Sequence, residues 1–106
     1  MNEKTIDDMT IEELNRAVAI VQGWIIEKRL YEVYVNKNGN TVLVDNYRPC
    51  TNAMQAYEII EREKISVMYS HVAKTWYADI DDHKTEDGET ALIAAMRCFV
   101  KSKFWF

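Results

Sequence analysis

TALIAAMRCFVKSKFWF, residues 90–106, is the stretch that decides the fold. Drawn as a helix, it sets Leu92, Ala95, Met96, Phe99 and Val100 in one continuous apolar stripe, with Ile93 at its edge. Arg97 lies just beyond that edge, and Ala94, Cys98 and Lys101 lie on the far side. The pattern predicts a packed helix over about 89–103 whose charges face away from the core or line its rim. Phe104, Trp105 and Phe106 follow it. Three aromatic side chains are costly to leave in water, so they either fold back or bury in a neighbouring subunit. Because the stripe is already filled, the second outcome is expected, with these three residues as the interface of a homo-oligomer.

Working outward from this helix, the chain alternates strands and helices. Before it, "DDHKTEDGE" reads as a polar loop leading into the helix start, and "ISVMYSH" and "TWYADID" read as an antiparallel pair. A helix over roughly 52–63 gathers Ala53, Ala56, Tyr57 and Ile60, with Ile59 beside them. Thr51 or Asn52 is its cap, and Pro49 stops the strand before it. "WIIEKRLYEVYVNKNGNTVLV" is β-branched and aromatic, with a hairpin signal at Asn38-Gly39. Strands are predicted at about 30–36 and 41–45, and residues 24–29 are either a strand start or an irregular lead-in. The first helix opens at Thr10 with the capping box "TIEE", shows Ile11, Leu14, Ala17, Val18 and Val21 on one face, and stops at Gly23. The expected fold class is α+β: an antiparallel sheet of about four strands packed by three helices, in the order α-β-β-α-β-β-α.

The chain has 106 residues and a net charge of −4. That length predicts a single domain over 1–106, with residues 1–9 a flexible N-terminus. The mild acidity argues against a general binder of nucleic-acid backbones, which needs clustered Lys and Arg. Cys50 and Cys98 match no zinc spacing and read as reduced thiols. "MNEKTIDDMT" is no signal peptide and no apolar run spans a bilayer, so a cytoplasmic protein with no membrane partner is expected.

Several strings resemble the NinX-like family of small bacteriophage proteins, also described as a phage α-β-α sandwich domain. They are "EIIEREKIS" at 58–66, "TWYADID" at 75–81 and "LIAAMRCFVKSK" at 92–103. "LNRAVAIVQGW" and the Tyr47, Pro49, Thr51 stretch are similar to the family's pattern as well, so the resemblance covers about residues 10–103. Two places depart from it. Thr51-Asn52-Ala53 stands where members often have Thr-Asp-Trp, which puts in doubt any role for an acid and an indole there. Gly88-Glu89-Thr90-Ala91 stands where Gly-Pro-Thr-Pro is frequent, a change at a helix start. The resemblance implies a phage or prophage origin and an accessory role, and no defined chemistry.

The residues carry no nucleophile elbow, phosphate loop or metal-protease motif, so no enzymatic activity, cofactor or metal site is expected. A catalytic Cys50 would need a base, and His71 is the one candidate. The acidic run Asp79–Glu89 suits a divalent ion by charge, but it completes no oxygen-ligand pattern and reads as a solvated acidic turn. Trp24, Tyr31, Tyr34, Tyr47, Tyr69, Trp76 and Tyr77 cluster around strands. Trp76 and Tyr77 point to opposite faces, so one open face would make a stacking platform. Aromatics with arginines are the usual means of holding a nucleotide. Tyr47, Arg48, Arg62, Trp76 and Arg97 are therefore the candidate ligand-binding residues, although core aromatics and surface arginines are the commoner outcome for such residues. The expected function is a phage accessory protein acting by binding, as in counter-defence by sequestering a nucleotide-derived small molecule. The alternative is a protein-interaction module that inhibits a host protein.

Overall fold

The structure, a computed structural model, describes residues 5–81 and 84–104, with Lys84 and Phe104 described for the backbone alone. Helix α1 spans Ile11–Val21, α2 Ala53–Glu63 and α3 Ala91–Phe104. Strands β1 (Ile25–Arg29), β2 (Glu32–Lys37) and β3 (Asn40–Leu43) form one antiparallel sheet. Strands β4 (Ser66–Ser70), β5 (Thr75–Ile80) and β6 (Lys84–Gly88) form another. The class is α+β with three helices, and the order is α-β-β-β-α-β-β-β-α.

Two three-stranded sheets thus replace the expected single sheet of about four strands. The first extra strand is β1. It turns into β2 through Leu30 and Tyr31, with Leu30 at φ 49° in the left-handed region. A leucine pays about 1–2 kcal/mol there, and no glycine or asparagine announces the turn. The next turn does have that signature: Asn38 and Gly39 sit at φ 53° and 94°. The second extra strand is β6, which lies in the expected polar loop. It pairs with β5 along its length, and its inward-facing Glu86 meets Lys101 Nζ at 2.6 Å. A polar strand therefore has a satisfied inner face.

Helix α3 is the centre of the molecule. It packs on β4, β5 and β6 on one side and on α1 and α2 on the other. Ile93, Ala94, Ala95, Met96, Cys98, Phe99 and Val100 are all buried. The far side expected for Ala94 and Cys98 is therefore not a solvent face, because a second layer of helices covers it. Thr90 starts the helix by accepting from Ile93 N–H at 3.1 Å. In α2 the buried face is Ala56 and Ile59, and Tyr57 is 60% exposed, not grouped with the core as its spacing suggested. In α1 the capping box forms as expected, with Glu13 N–H to Thr10 Oγ1 at 3.1 Å and Thr10 N–H to Glu13 Oε1 at 2.9 Å. Where residues 1–9 are expected to be flexible, Ile6–Asp8 make a 3-10 turn, and Ile6 and Met9 are partly buried against the core. Trp105 and Phe106, and the side chain of Phe104, lie outside the described residues, so the oligomer interface expected there has no structural account.

In the second sheet, register sorts the side chains cleanly. Val67, Trp76, Ala78, Ile80, Glu86 and Gly88 face α3, while Met68, Tyr77, Asp79, Thr85 and Asp87 face outward. No described helix packs on the outward face. The first sheet touches the rest through α1 and the short 3-10 turn Val44–Asn46. The molecule measures 48 × 34 × 25 Å along its principal axes.

Gly88 sets how closely α3 sits on the sheet. A Cβ at this position would lie 2.5 Å from the Ala94 nitrogen and 3.0 Å from its Cα, both backbone atoms. Gly88→Ala should therefore destabilise the fold by about 1–3 kcal/mol through overpacking. Urea unfolding followed by circular dichroism measures this, and an unchanged midpoint would show that the helix can slide away freely.

Candidate functional site

A cleft of about 410 Å³ opens where the two halves of the molecule meet. Its walls are Val21, Gln22 and Trp24 after α1, Lys37 and Asn38 at the β2–β3 turn, Glu58, Arg62 and Glu63 of α2, and Lys103 of α3. The local reason for this wall is a helix ending. Gly23 adopts φ 85°, Gly23 N–H bonds to Ile20 O at 2.9 Å, and Trp24 N–H bonds to Ala19 O at 3.2 Å. This is a Schellman end, in which glycine takes the left-handed position and the next residue folds back. It directs Trp24 away from the helix axis and into the cleft.

Behind the wall runs a polar chain. Gln22 Nε2 donates to Tyr47 Oη at 2.9 Å and to Val18 O at 3.0 Å, while Arg62 Nη2 donates to Gln22 Oε1 at 3.1 Å. The Tyr47 and Trp24 rings meet edge-on at 4.9 Å. Burial pushes the Tyr47 phenol up to about 12, against the smaller pull of its Gln22 bond and of Arg62, so it stays protonated. Tyr47 is itself held by a tightly bonded loop: Arg48 N–H to Gln55 Oε1 at 2.6 Å, Gln55 Nε2 to Asn46 O at 2.9 Å and Cys50 N–H to Asn15 Oδ1 at 2.9 Å.

Three cations border the cleft. Lys37 Nζ sits 4.9 Å from the Trp24 ring centroid and has no ion pair among the described residues. Arg62 Nε and Lys103 Nζ share Glu63, at 3.1 and 3.2 Å. Partial burial works to raise the Glu63 pKa, but the hydrogen bonds from Arg62 and Lys103 hold it below the ordinary 4.5. The cleft thus pairs an indole with a cationic rim, partly offset by Glu58 and Glu63.

The five candidate residues do not converge. Tyr47 and Arg62 come together through Gln22. Arg48 lines a separate hollow of about 290 Å³ with Arg16, Glu12, Asp45 and Thr51. Trp76 faces α3, stacks edge-on with Tyr69 at 5.3 Å, and borders an apolar hollow with Cys50 and Leu92. Arg97 Nη1 donates to Asp87 O at 2.9 Å and so ties α3 to β6. Sequence reasoning placed Trp24 among the aromatics but did not join Gln22, Lys37 and Lys103 to it. They come from α1, a hairpin turn and the end of α3, and no local pattern links them.

The Cys50 and Cys98 thiols are both pushed up to about 12, chiefly by burial. That is the reverse of what a thiolate nucleophile requires. His71, the base considered for Cys50, instead stacks on Tyr69 at 5.0 Å. In the acidic segment, Glu86 and Asp87 meet Asp7, with one carboxylate oxygen of each within 4.8 Å of the others. Lys101 offsets this charge at Glu86. Asp82 and His83 lie outside the described residues.

A family model described as Bacteriophage P22, NinX matches residues 5–103. The chain belongs to the NinX family. The match begins at the first 3-10 turn and ends in the last turn of α3, so both sheets and the whole cleft fall within the NinX unit. None of the curated proteins matches the chain. No described helix is long and apolar enough to cross a membrane.

Two outcomes follow from these geometries. Ellman's reagent should react with neither cysteine in the native protein and with both after unfolding in guanidinium; a native reaction would mean that the Cys50 loop opens. The second concerns Glu86, whose pKa is raised from 4.5, first by burial and further by Asp7, against the pull of Lys101. A raised carboxyl favours the fold below its unfolded pKa, and that favour is lost as pH rises through the folded value. Asp7→Asn should therefore raise Tm by a few degrees at pH 7 and by nothing at pH 3. The gain is small because Asp7 is exposed, and solvent screens its coupling to the half-buried Glu86 to about 1 kcal/mol or less. Equal shifts at both pH values would assign the effect to packing.

Proposed function

We propose that this phage protein acts by binding, and that the Trp24 cleft takes an anionic, nucleotide-derived small molecule. One observation carries the reading: Lys37, Arg62 and Lys103 line one concave site with a partly exposed indole, and Lys37 sits over its ring. The indole face suits a base, and the cations suit phosphate oxygens. Glu58 is placed to accept from a ribose hydroxyl or an exocyclic amine. A cleft of about 410 Å³ matches a ligand of mononucleotide size. Binding without turnover would suit counter-defence, in which a phage protein withdraws a signalling nucleotide.

Isothermal titration with AMP, ADP and cyclic di-AMP tests this. Binding to at least one is expected. Arg62→Ala and Lys37→Ala should each weaken it about tenfold or more, the usual loss for one charge-assisted contact. Arg48→Ala, in the other hollow, should leave it unchanged. Absence of heat with all three probes, or equal losses at Arg48, would remove the proposal.

A second reading, a module that inhibits a host protein, is favoured by the exposed face of α2. Met54 is 83% and Tyr57 60% exposed there, on neighbouring turns. Such a pair fits the apolar centre of a protein interface. If nucleotides do not bind and Met54→Glu abolishes capture of one host protein, this reading replaces the first.

A further inference from the structure

Among the described residues each sheet has two free edges, and two of the four, β3 and β4, carry no charge. β1 reads Ile25-Ile26-Glu27-Lys28-Arg29 and β6 reads Lys84-Thr85-Glu86-Asp87-Gly88, both charged. β3 is four residues long and ends in a 3-10 turn. β4 reads Ser66-Val67-Met68-Tyr69-Ser70, with no charge, proline or glycine, and among the described residues it is paired only on its β5 side. Proteins guard an open edge with charge, proline or shortness, because its unpaired N–H and C=O groups will pair with any available strand. β4 has none of these guards, and its Met68 and Tyr69 are 45% and 40% exposed.

We propose that β4 pairs with β4 of a second copy of this chain, antiparallel about a two-fold axis through Met68. In that register Ser66 opposes Ser70 of the second copy, Val67 opposes Tyr69, and Met68 opposes Met68. Small polar residues meet each other, and a β-branched residue meets an aromatic one, a favourable cross-strand pair. An isologous contact requires a strand complementary to itself; charge sets aside β1 and β6, and β3 is set aside by its four-residue length and the 3-10 turn that ends it. Self-pairing of β1 about its centre would oppose Glu27 to Glu27, and self-pairing of β6 would oppose Glu86 to Glu86. β4 carries no such repulsion. The product is one six-stranded sheet whose outward face joins Met68 and Tyr77 of both copies. This surface shares no residue with the Trp24 cleft.

Sedimentation velocity and light scattering of the whole chain test the proposal. A five-residue edge pair buries less than the ~1,200 Å² of a standard interface, so the range should extend to about 200 µM. Wild type should approach twice the 12.4 kDa chain mass with rising concentration. Met68→Lys and Met68→Glu should each stay at the chain mass, since like charges then face each other on the axis. An equimolar mixture of the two should recover the doubled mass through opposite charges. Thr41→Lys, on the β3 edge, should dimerise as wild type does, and circular dichroism checks that each variant is folded. A wild-type monomer throughout the range, a dimer that persists in Met68→Lys, or a mixture that stays monomeric would each overturn it.

Discussion

The structure depends on burying α3 around nearly its whole circumference. Ala94, Ala95, Met96, Cys98 and Val100 are each 0% exposed, which a helix lying on one sheet could not achieve. The second sheet takes one side, and α1 and α2 take the other. The alanines and Gly88 make the approach close enough for backbone to meet backbone. Charge leaves this dry layer at three exits, each tied to a different group. Arg97 reaches the Asp87 carbonyl, Lys101 reaches Glu86, and Lys103 reaches Glu63. The cations of α3 therefore connect β6 and α2 to the central helix while keeping their heads near water.

The first sheet obeys a different rule. Apart from Val35, little of it is buried deeply, and it hangs from the end of α1 and the 44–46 turn. Its anchor is the ring contact of Trp24 with Tyr47, extended by Gln22 to Arg62. The same residues that hold the sheet thus form the wall of the cleft. A joint between two packed units leaves a concavity that neither core fills.

Much of the fold was legible in the residues themselves. The capping box at Thr10, the stop at Gly23, the Asn38-Gly39 turn, and the three helices with the apolar stripe of the last all appear in place, because each is a local preference. The β1–β2 turn was not legible, since Leu30 occupies a conformation that leucine disfavours and tertiary pairing holds it there. β6 was not legible either. Its polar residues read as a loop until Lys101, fifteen residues later, satisfies Glu86. Tyr47 and Arg62 meet through Gln22, whereas their grouping with Arg48, Trp76 and Arg97 was not realised.

By itself, then, the sequence determined the class, the helices, the family and the absence of strong basic character, because composition and short-range periodicity act within a few residues. Only the tertiary structure decided that α3 is enclosed on both sides, that the strands divide into two sheets, and that an indole and three cations share a cleft. Those outcomes rest on contacts between residues tens of positions apart. Gln22 meets Arg62 across 40 positions and Tyr47 across 25, and no local spacing records such a meeting.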